Sequence, residues 1–286
     1  MSVNLLLTQI VNGLGIGMIY FMIAIGLSII FGIMHFINIA HGAFYLVGAY
    51  LCYALVSATG NFWLALALAP LAVGVVAWLA EPGVRRLYDL PASLQILATL
   101  GLALVIQEAV ILIFDPLGKN VAAPAGLRGA AFFGSFVYPK YRLFVIVFTA
   151  AVAAVLWFLL ERTRYGAVLR AGTESMQTVE LLGIDISRIF SLTFAVGAAL
   201  TALSGVLAAP IRGVEPFMGV EALSIAFVIV VIGGIGSFTG ALAGGLLIGV
   251  VQSVMTTFWA AGANIMIYVA MALIILVRPH GLLGRA

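Results

Sequence analysis

The residues in this chain that could do chemistry are few and sit in unusual places. Two of its three histidines, His35 and His41, flank Asn38 in the stretch His35-Phe36-Ile37-Asn38-Ile39-Ala40-His41-Gly42. A helical zinc pair needs histidines four apart with a carboxylate close by. These are six apart with no Asp or Glu between them, and the nearest carboxylates in sequence, from Glu81 onward, read as loop residues. A metal or catalytic site is therefore disfavoured. The histidines are left either to hold an interrupted helix through bonds to carbonyls or to touch a solute or gate. Glu108, beside Gln107, lies six residues before its apolar run ends at Phe114. That is about 9 Å at 1.5 Å per residue, a depth a side chain can partly span by snorkelling. Proton coupling needs a relay of acidic groups, and no second Asp or Glu joins Glu108. The single Cys52 allows no disulfide within the chain and reads as a buried bystander. No Gly-x-x-x-x-Gly-Lys-Ser/Thr phosphate loop occurs, so ATP chemistry of that kind is absent from the sequence.

The elements that must position these residues follow from charge. The 286 residues hold 13 Lys and Arg and 10 Asp and Glu, and 64% are apolar. A soluble domain of this length would carry roughly 70 charges, about a quarter of its residues. Disorder is excluded as well, because disordered chains are poor in apolar residues. Residues 1–80 have no charge at all, and every charge but Glu108 clusters in 81–92, 115–142, 161–188, 212–221 or the tail. Charge is costly at bilayer depth, so these clusters mark where the chain leaves the hydrocarbon. Between them lie apolar runs near 6–33, 42–58, 62–80, 93–114, 142–160, 189–209, 222–238, 240–259 and 262–278. A spanning helix needs about 20 residues, and membrane β-barrels need short alternating segments instead. The expected fold is an all-α polytopic membrane protein of eight or nine spans with two interrupted or re-entrant segments. The first run lacks a basic leader and continues too far for a cleaved signal. With 81–92, 161–188 and the C-terminus on the cytoplasmic side, eight Lys/Arg lie inside and five outside, the expected sign of bias. Nine spans place the N-terminus outside; eight, with 34–58 partly re-entering, place it inside. The basic residues are spread over every loop, so no patch suits nucleic acid.

Glycine spacing carries the next signal. Gly13 and Gly17, then Gly236, Gly240 and Gly244, then Gly245 and Gly249 stand four apart. Small residues at that spacing let membrane helices pack closely. Gly233-Gly234-Ile235-Gly236-Ser237 also interrupts a helix at depth, since each glycine weakens a helix by about 1 kcal/mol relative to Ala. The backbone groups it frees need partners within protein or a water-filled cavity. Both interruptions precede a Gly-Ala pair, Gly42-Ala43 and Gly240-Ala241. Paired interrupted helices point to an internal repeat and to a transport path. The 161–188 loop differs from the others: it mixes four basic and four acidic residues with apolar ones. Residues 174–182 read as a short helix with Thr173 as N-cap and Gly183 as its stop. Met176, Val179 and Leu182 would form an apolar stripe, to pack on the membrane domain or dock into another protein.

These stretches resemble a known family. Asn38-Ile39-Ala40-His41-Gly42 with Gly48-Ala49-Tyr50 is similar to the N-terminal signature of branched-chain amino-acid-type ABC transporter permeases. Ile232 through Gly245 resembles their central glycine motif, Arg278 through Gly284 their C-terminal pattern, and Arg170-Ala171 with Leu181-Leu182-Gly183-Ile184 their cytoplasmic coupling segment. Within the family the chain looks most like the first of two paired permeases. Val179-Glu180 stands where the family usually has small residues before Leu-Leu-Gly.

The resemblance implies a single permease domain over 1–286 with 161–188 as its cytoplasmic coupling loop, in a bacterial inner membrane. It implies a second homologous permease, two cytoplasmic ABC ATPases that use ATP and Mg, and a periplasmic or lipid-anchored substrate-binding protein. The chain itself would hold no cofactor, bind no metal and catalyse no covalent reaction. Asn38, His41, Gly42, Gly233, Gly234, Gly236, Ser237 and Gly240 would line or gate the path. Arg170, Ala171, Glu174, Met176, Val179 and Gly183 would couple to the ATPase. The rival expectation is a stand-alone secondary carrier of a small polar solute.

Overall fold

A computed structural model describes residues 3–134, 136–278 and 281–283. Its α-helices are α1 (Val3–Met34), α2 (His41–Thr59), α3 (Phe62–Val84), α4 (Ala92–Phe114), α5 (Lys140–Arg162), α6 (Arg164–Glu174), α7 (Met176–Leu181), α8 (Ile186–Arg212), α9 (Met218–Gly233), α10 (Phe238–Phe258) and α11 (Ala263–Val277). One antiparallel hairpin, β1 (Ala130–Phe133) and β2 (Phe136–Pro139), interrupts the all-α pattern. Among the described residues eight helical segments are long and apolar enough to cross a membrane, the last running over Ala260–Val277 with the turn before α11 included, and α9, with 16 residues, is a shorter apolar helix.

The helices begin and end where local chemistry dictates. Asn61 accepts the N–H groups of Trp63 and Leu64 to open α3, while Gly60, at φ 68°, closes α2 in the left-handed region. Asp185 caps α8, and Ser237 caps α10 by accepting the Gly240 N–H.

α1 is the hub. Nearly every side chain from Met18 to Ile30 is buried, so this helix is apolar all round, as a bundle's central helix must be. It runs antiparallel to α10, and the fours of glycine seen in the sequence are the seam. A Cβ on Gly13 would overlap Val250 backbone, one on Gly17 would meet Gly245 and Leu246, and one on Gly249 would strike Gly13 and Gly17. On its other side α1 meets α8, where Gly26 faces Gly197, and α2 meets α8 where Gly48 abuts Ala202. Close backbone approach of this kind replaces the hydrophobic drive that lipid removes. α4, α5 and α11 instead expose Val105, Leu112, Val147 and Leu276, a surface suited to lipid chains.

The molecule has two distinct ends. One holds the hairpin, the start of α1 and the 213–217 connection: Tyr138 and Arg142 both donate to Asn12, and Lys119 exchanges two backbone hydrogen bonds of 2.8 Å with Val214. The other holds the α3–α4 turn, α6, α7 and residues 281–283. The spanning segments alternate between these ends, with 35–59 counted as one leg and α9 as another. Among the described residues that makes nine passes between the two ends, eight of them long enough to span a membrane, with residue 3 at the hairpin end and Val277 at the other.

Two sequence expectations change. Glu81 is not a loop residue: it lies in the last turns of α3, fully buried. Its burial is tolerated because Arg85, Tyr88 and Ser191 all donate to its carboxylate, tying α3 to α8. Burial, then the neighbouring Glu81 charge, raise the Tyr88 hydroxyl far above its usual range, so it stays a donor. In the 161–188 loop the short helix is α7, beginning at Met176 and capped by Ser175, not by Thr173, because Thr173 lies inside the longer α6. Gly183, at φ 80°, does end the turn, donating to the Glu180 carbonyl.

Candidate functional site: two helix breaks and the cavities beside them

At the first break, α1 ends at Met34, the His35 N–H makes the last helical bond to the Phe31 carbonyl at 3.0 Å, and residues 36–40 run into the bundle before α2 begins. His35 takes φ 49° at the bend. Irregular backbone at membrane depth must find partners in protein, and α4 supplies them. The Ile37 N–H donates to Gln95 Oε1 at 3.0 Å and the Ile39 N–H to Thr99 Oγ1 at 3.0 Å. Gln95 is held in turn by donating its Nε2 to the Tyr88 and Leu90 carbonyls. Asn38 is buried, and its carbonyl accepts the His41 N–H.

His41 is fully buried at the start of α2. Its Nε2 lies 3.2 Å from the Ile23 carbonyl oxygen and 2.8 Å from Thr201 Oγ1. A carbonyl can only accept, so Nε2 carries the proton and pins the break to α1 and α8 together. Gly42 is required one residue on, since any Cβ there would collide with the Gly219 carbonyl of α9.

At the second break, α9 ends at Gly233 and α10 starts at Phe238. Gly234 and Gly236 take φ 96° and 75°, conformations that disfavour side chains. The Gly236 N–H donates to the buried Ser28 of α1 at 3.0 Å. Gly240 packs so closely on Gly233 that a Cβ at either would strike the other's backbone. The two glycines thus act differently: Gly240 is a contact, whereas Gly236 is a turn, and only Gly32 Cα comes near its missing Cβ. The carbonyls of Ile232 and Gly233, left free where α9 stops, accept the N–H groups of Leu282 and Leu283 at 2.7 and 3.3 Å. The C-terminal segment therefore seals the break. Pro279, His280 and Gly284 of its motif lie outside the described residues.

A cavity of about 410 Å³ opens beside this turn, lined by Ser28, Gly32, Gly236, Ser237 and Thr239 from the break and by Glu161, Gly166 and Arg170 from the α5–α6 corner. A second cavity, about 230 Å³, lies toward the hairpin end among Tyr20, Tyr45, Arg212, Glu215, Glu221 and Asn264. Arg212 donates to Tyr20 Oη at 2.9 Å and to Glu221 at 3.3 Å. Tyr20 donates to Gln252 Oε1 at 2.8 Å, and Gln252 Nε2 to Asn264 at 2.7 Å. Among the described residues no group of three or more His, Cys, Asp and Glu is arranged to hold a metal ion.

This architecture, with its breaks at the family-like motifs, agrees with the comparison to known proteins. The family described as the permease component of a branched-chain amino acid transport system matches residues 9–277. The chain belongs to this permease family. The high-affinity branched-chain amino acid transport system permease protein BraD of Pseudomonas aeruginosa is 33% identical, over 98% of this chain and 96% of its own. LivH of Escherichia coli K12, described in the same words, is 30% identical over the same shares. LivM of Salmonella typhimurium, also such a permease protein, is 27% identical over 93% of this chain and 68% of its own. No solved structure matches the chain.

In this permease the sequence-predicted path residues fall into two groups. Asn38, His41 and Gly42 gather at the first break, and Gly233, Gly234, Gly236, Ser237 and Gly240 at the second, with α1 between them. Of the predicted coupling residues, Arg170, its side chain about half exposed, donates to the Leu160 carbonyl and pairs with Glu161 at 3.5 Å. Val179 is buried and Ala171 is exposed. The side chains of Glu174 and Met176 lie outside the described residues. The apolar surface offered outward is Leu181 and Leu182, 88% and 74% exposed, so Val179 and Leu182 of the expected stripe do not share one face. Sequence reading missed the Tyr20–Arg212–Glu221 cluster, although Arg212 and Glu221 bracket the short 213–217 connection and so were bound to face each other. Glu108 sits on the exposed face of α4 and Gln107 is buried.

Proposed function

We propose that the chain is one of two permease subunits of an ATP-driven importer for branched-chain amino acids or related small polar solutes, in a bacterial cytoplasmic membrane. A second homologous permease would complete the path, two cytoplasmic ATPases would supply energy, and a binding protein would deliver solute to the hairpin end. The observation that carries this reading is the larger cavity, where the Gly236–Ser237 turn and the α5–α6 corner share one wall. Movement of α6 and α7, driven by a partner beneath them, would reach the break directly through Glu161 and Arg170. Leu181 and Leu182 are the natural contact for that partner, since two exposed leucines at the end of a short capped helix gain about 1.5–3 kcal/mol each when covered.

Co-purification tests the assembly. The tagged chain expressed with its neighbouring genes should copurify at fixed stoichiometry with a second permease and a nucleotide-binding protein. A chain that purifies alone and exchanges solute across vesicles without nucleotide would be a secondary carrier, and the reading fails.

A further inference from the structure

The cavity at the hairpin end carries more charge than packing requires. One guanidinium, Arg212, and two carboxylates, Glu215 and Glu221, line it where α8 gives way to α9. The same wall carries the apolar side chains of Ile23, Met218 and Ile225. We propose that this cavity is a transient binding site for an α-amino acid, which rests on the importer reading above. Arg212 takes the carboxylate, Glu221 and Glu215 take the ammonium, and the side chain lies against the apolar wall.

The charge arrangement selects the class of ligand. A simple anion would meet two carboxylates, and a simple amine would meet a guanidinium. Only a molecule with both charges on neighbouring atoms satisfies the set. Arg212 is built for the carboxylate half, because its fork is held from behind. Tyr20 accepts from Nη2 at 2.9 Å, the guanidinium carbon stands 5.7 Å from the Tyr20 ring centroid, and Tyr20 is itself fixed by Gln252. Its link to Glu221 is a single 3.3 Å contact between side chains 36% and 48% exposed. A pair that accessible is weak, so a ligand carrying both charges can exchange with it, carboxylate for carboxylate and ammonium for guanidinium. The volume, about 230 Å³, lies under the ~300–1,000 Å³ of pockets for drug-sized ligands and suits a small solute. The site also lies next to the gate: Ile23 lines the cavity, and its carbonyl is an acceptor for His41, the first residue after the break.

The test is calorimetric binding of L-leucine to the purified, nucleotide-free permease complex, repeated with 4-methylpentanoate, which lacks the ammonium, and isopentylamine, which lacks the carboxylate. Both analogues should bind about 10- to 100-fold more weakly, the loss expected for a charge-assisted hydrogen bond. Arg212→Gln and the near-isosteric Glu221→Gln should each weaken leucine by a similar factor, with Arg212→Lys between wild type and Arg212→Gln. Equal affinity for an analogue, unchanged affinity in both variants, or no binding to wild type overturns the site. The two readings separate cleanly. ATP-driven leucine uptake that is undiminished in Arg212→Gln and Glu221→Gln keeps the importer and removes the site. Leucine binding lost in those variants, in a complex that shows no ATP-driven uptake, keeps the site and removes the importer.

Discussion

The first break should depend on two side chains of α4, and replacing them tests how the chain keeps non-helical backbone inside a bilayer. Gln95→Leu removes the acceptor of the Ile37 N–H and the donor to the Tyr88 and Leu90 carbonyls; Thr99→Val removes the acceptor of the Ile39 N–H. Both replacements keep the approximate volume, so little cavity forms and the loss is polar. An unsatisfied buried polar group costs about 1–3 kcal/mol. Counting only the two N–H groups left without acceptors, the double variant loses about 2–6 kcal/mol, less whatever the segment regains by shifting. Since 1.4 kcal/mol is a factor of ten, even the low end lowers the population of the intact break more than tenfold relative to its alternatives. The assay is thermal unfolding of the detergent-purified complex together with solute uptake in vesicles. Thr99→Ser, which keeps the hydroxyl, should behave as wild type, as should Leu97→Ala on the exposed face of α4. A double variant with unchanged unfolding midpoint and unchanged uptake would refute the reasoning, because water or other protein groups would then be supporting residues 35–40.

Three further outcomes follow from the same geometry. Gly240→Ala should damage assembly and uptake severely because its Cβ meets Gly233 backbone, whereas Gly236→Ala should cost only the ~1–2 kcal/mol of a left-handed residue; equal effects, read by yield and unfolding, would contradict the division between contact and turn. Leu181→Asp with Leu182→Asp should weaken association with the proposed ATPase partner by about tenfold or more while leaving the fold intact; unchanged retention of that partner in a pull-down of the two purified components argues against α7 as the docking element. Glu81→Leu strips Arg85, Tyr88 and Ser191 of a shared acceptor and should destabilise toward the low end of ~3–5 kcal/mol, Arg85 being 30% exposed; a calorimetric scan showing no loss would mean the cluster is incidental.

The spans were legible because lipid imposes a simple rule on sequence. The run 93–114 becomes Ala92–Phe114 and the run 262–278 becomes Ala263–Val277, since nothing but an apolar helix satisfies its own backbone there. The breaks were legible for the complementary reason: consecutive glycines and a His-Asn-His cluster are poor helix material. What supports them was not. Gln95 and Thr99 look like ordinary helix polar residues, and their role appears only when α4 lies beside residues 35–40. The C-terminal segment is similar, since its hydrogen bonds to Ile232 and Gly233 join stretches some fifty residues apart in sequence. Glu81 was misplaced because a charge at the end of an apolar run looks solvated until the partner helix α8 brings Ser191 to it. Gly236 and Gly240, alike in spacing, differ in φ, which spacing does not encode.

As proposed, the chain provides a path and borrows its energy from a partner. Vesicles holding the reconstituted complex, with binding protein outside and ATP inside, measure this directly through uptake of labelled leucine. Accumulation should require internal ATP and survive a protonophore. Accumulation that ignores ATP and collapses with the protonophore would contradict it.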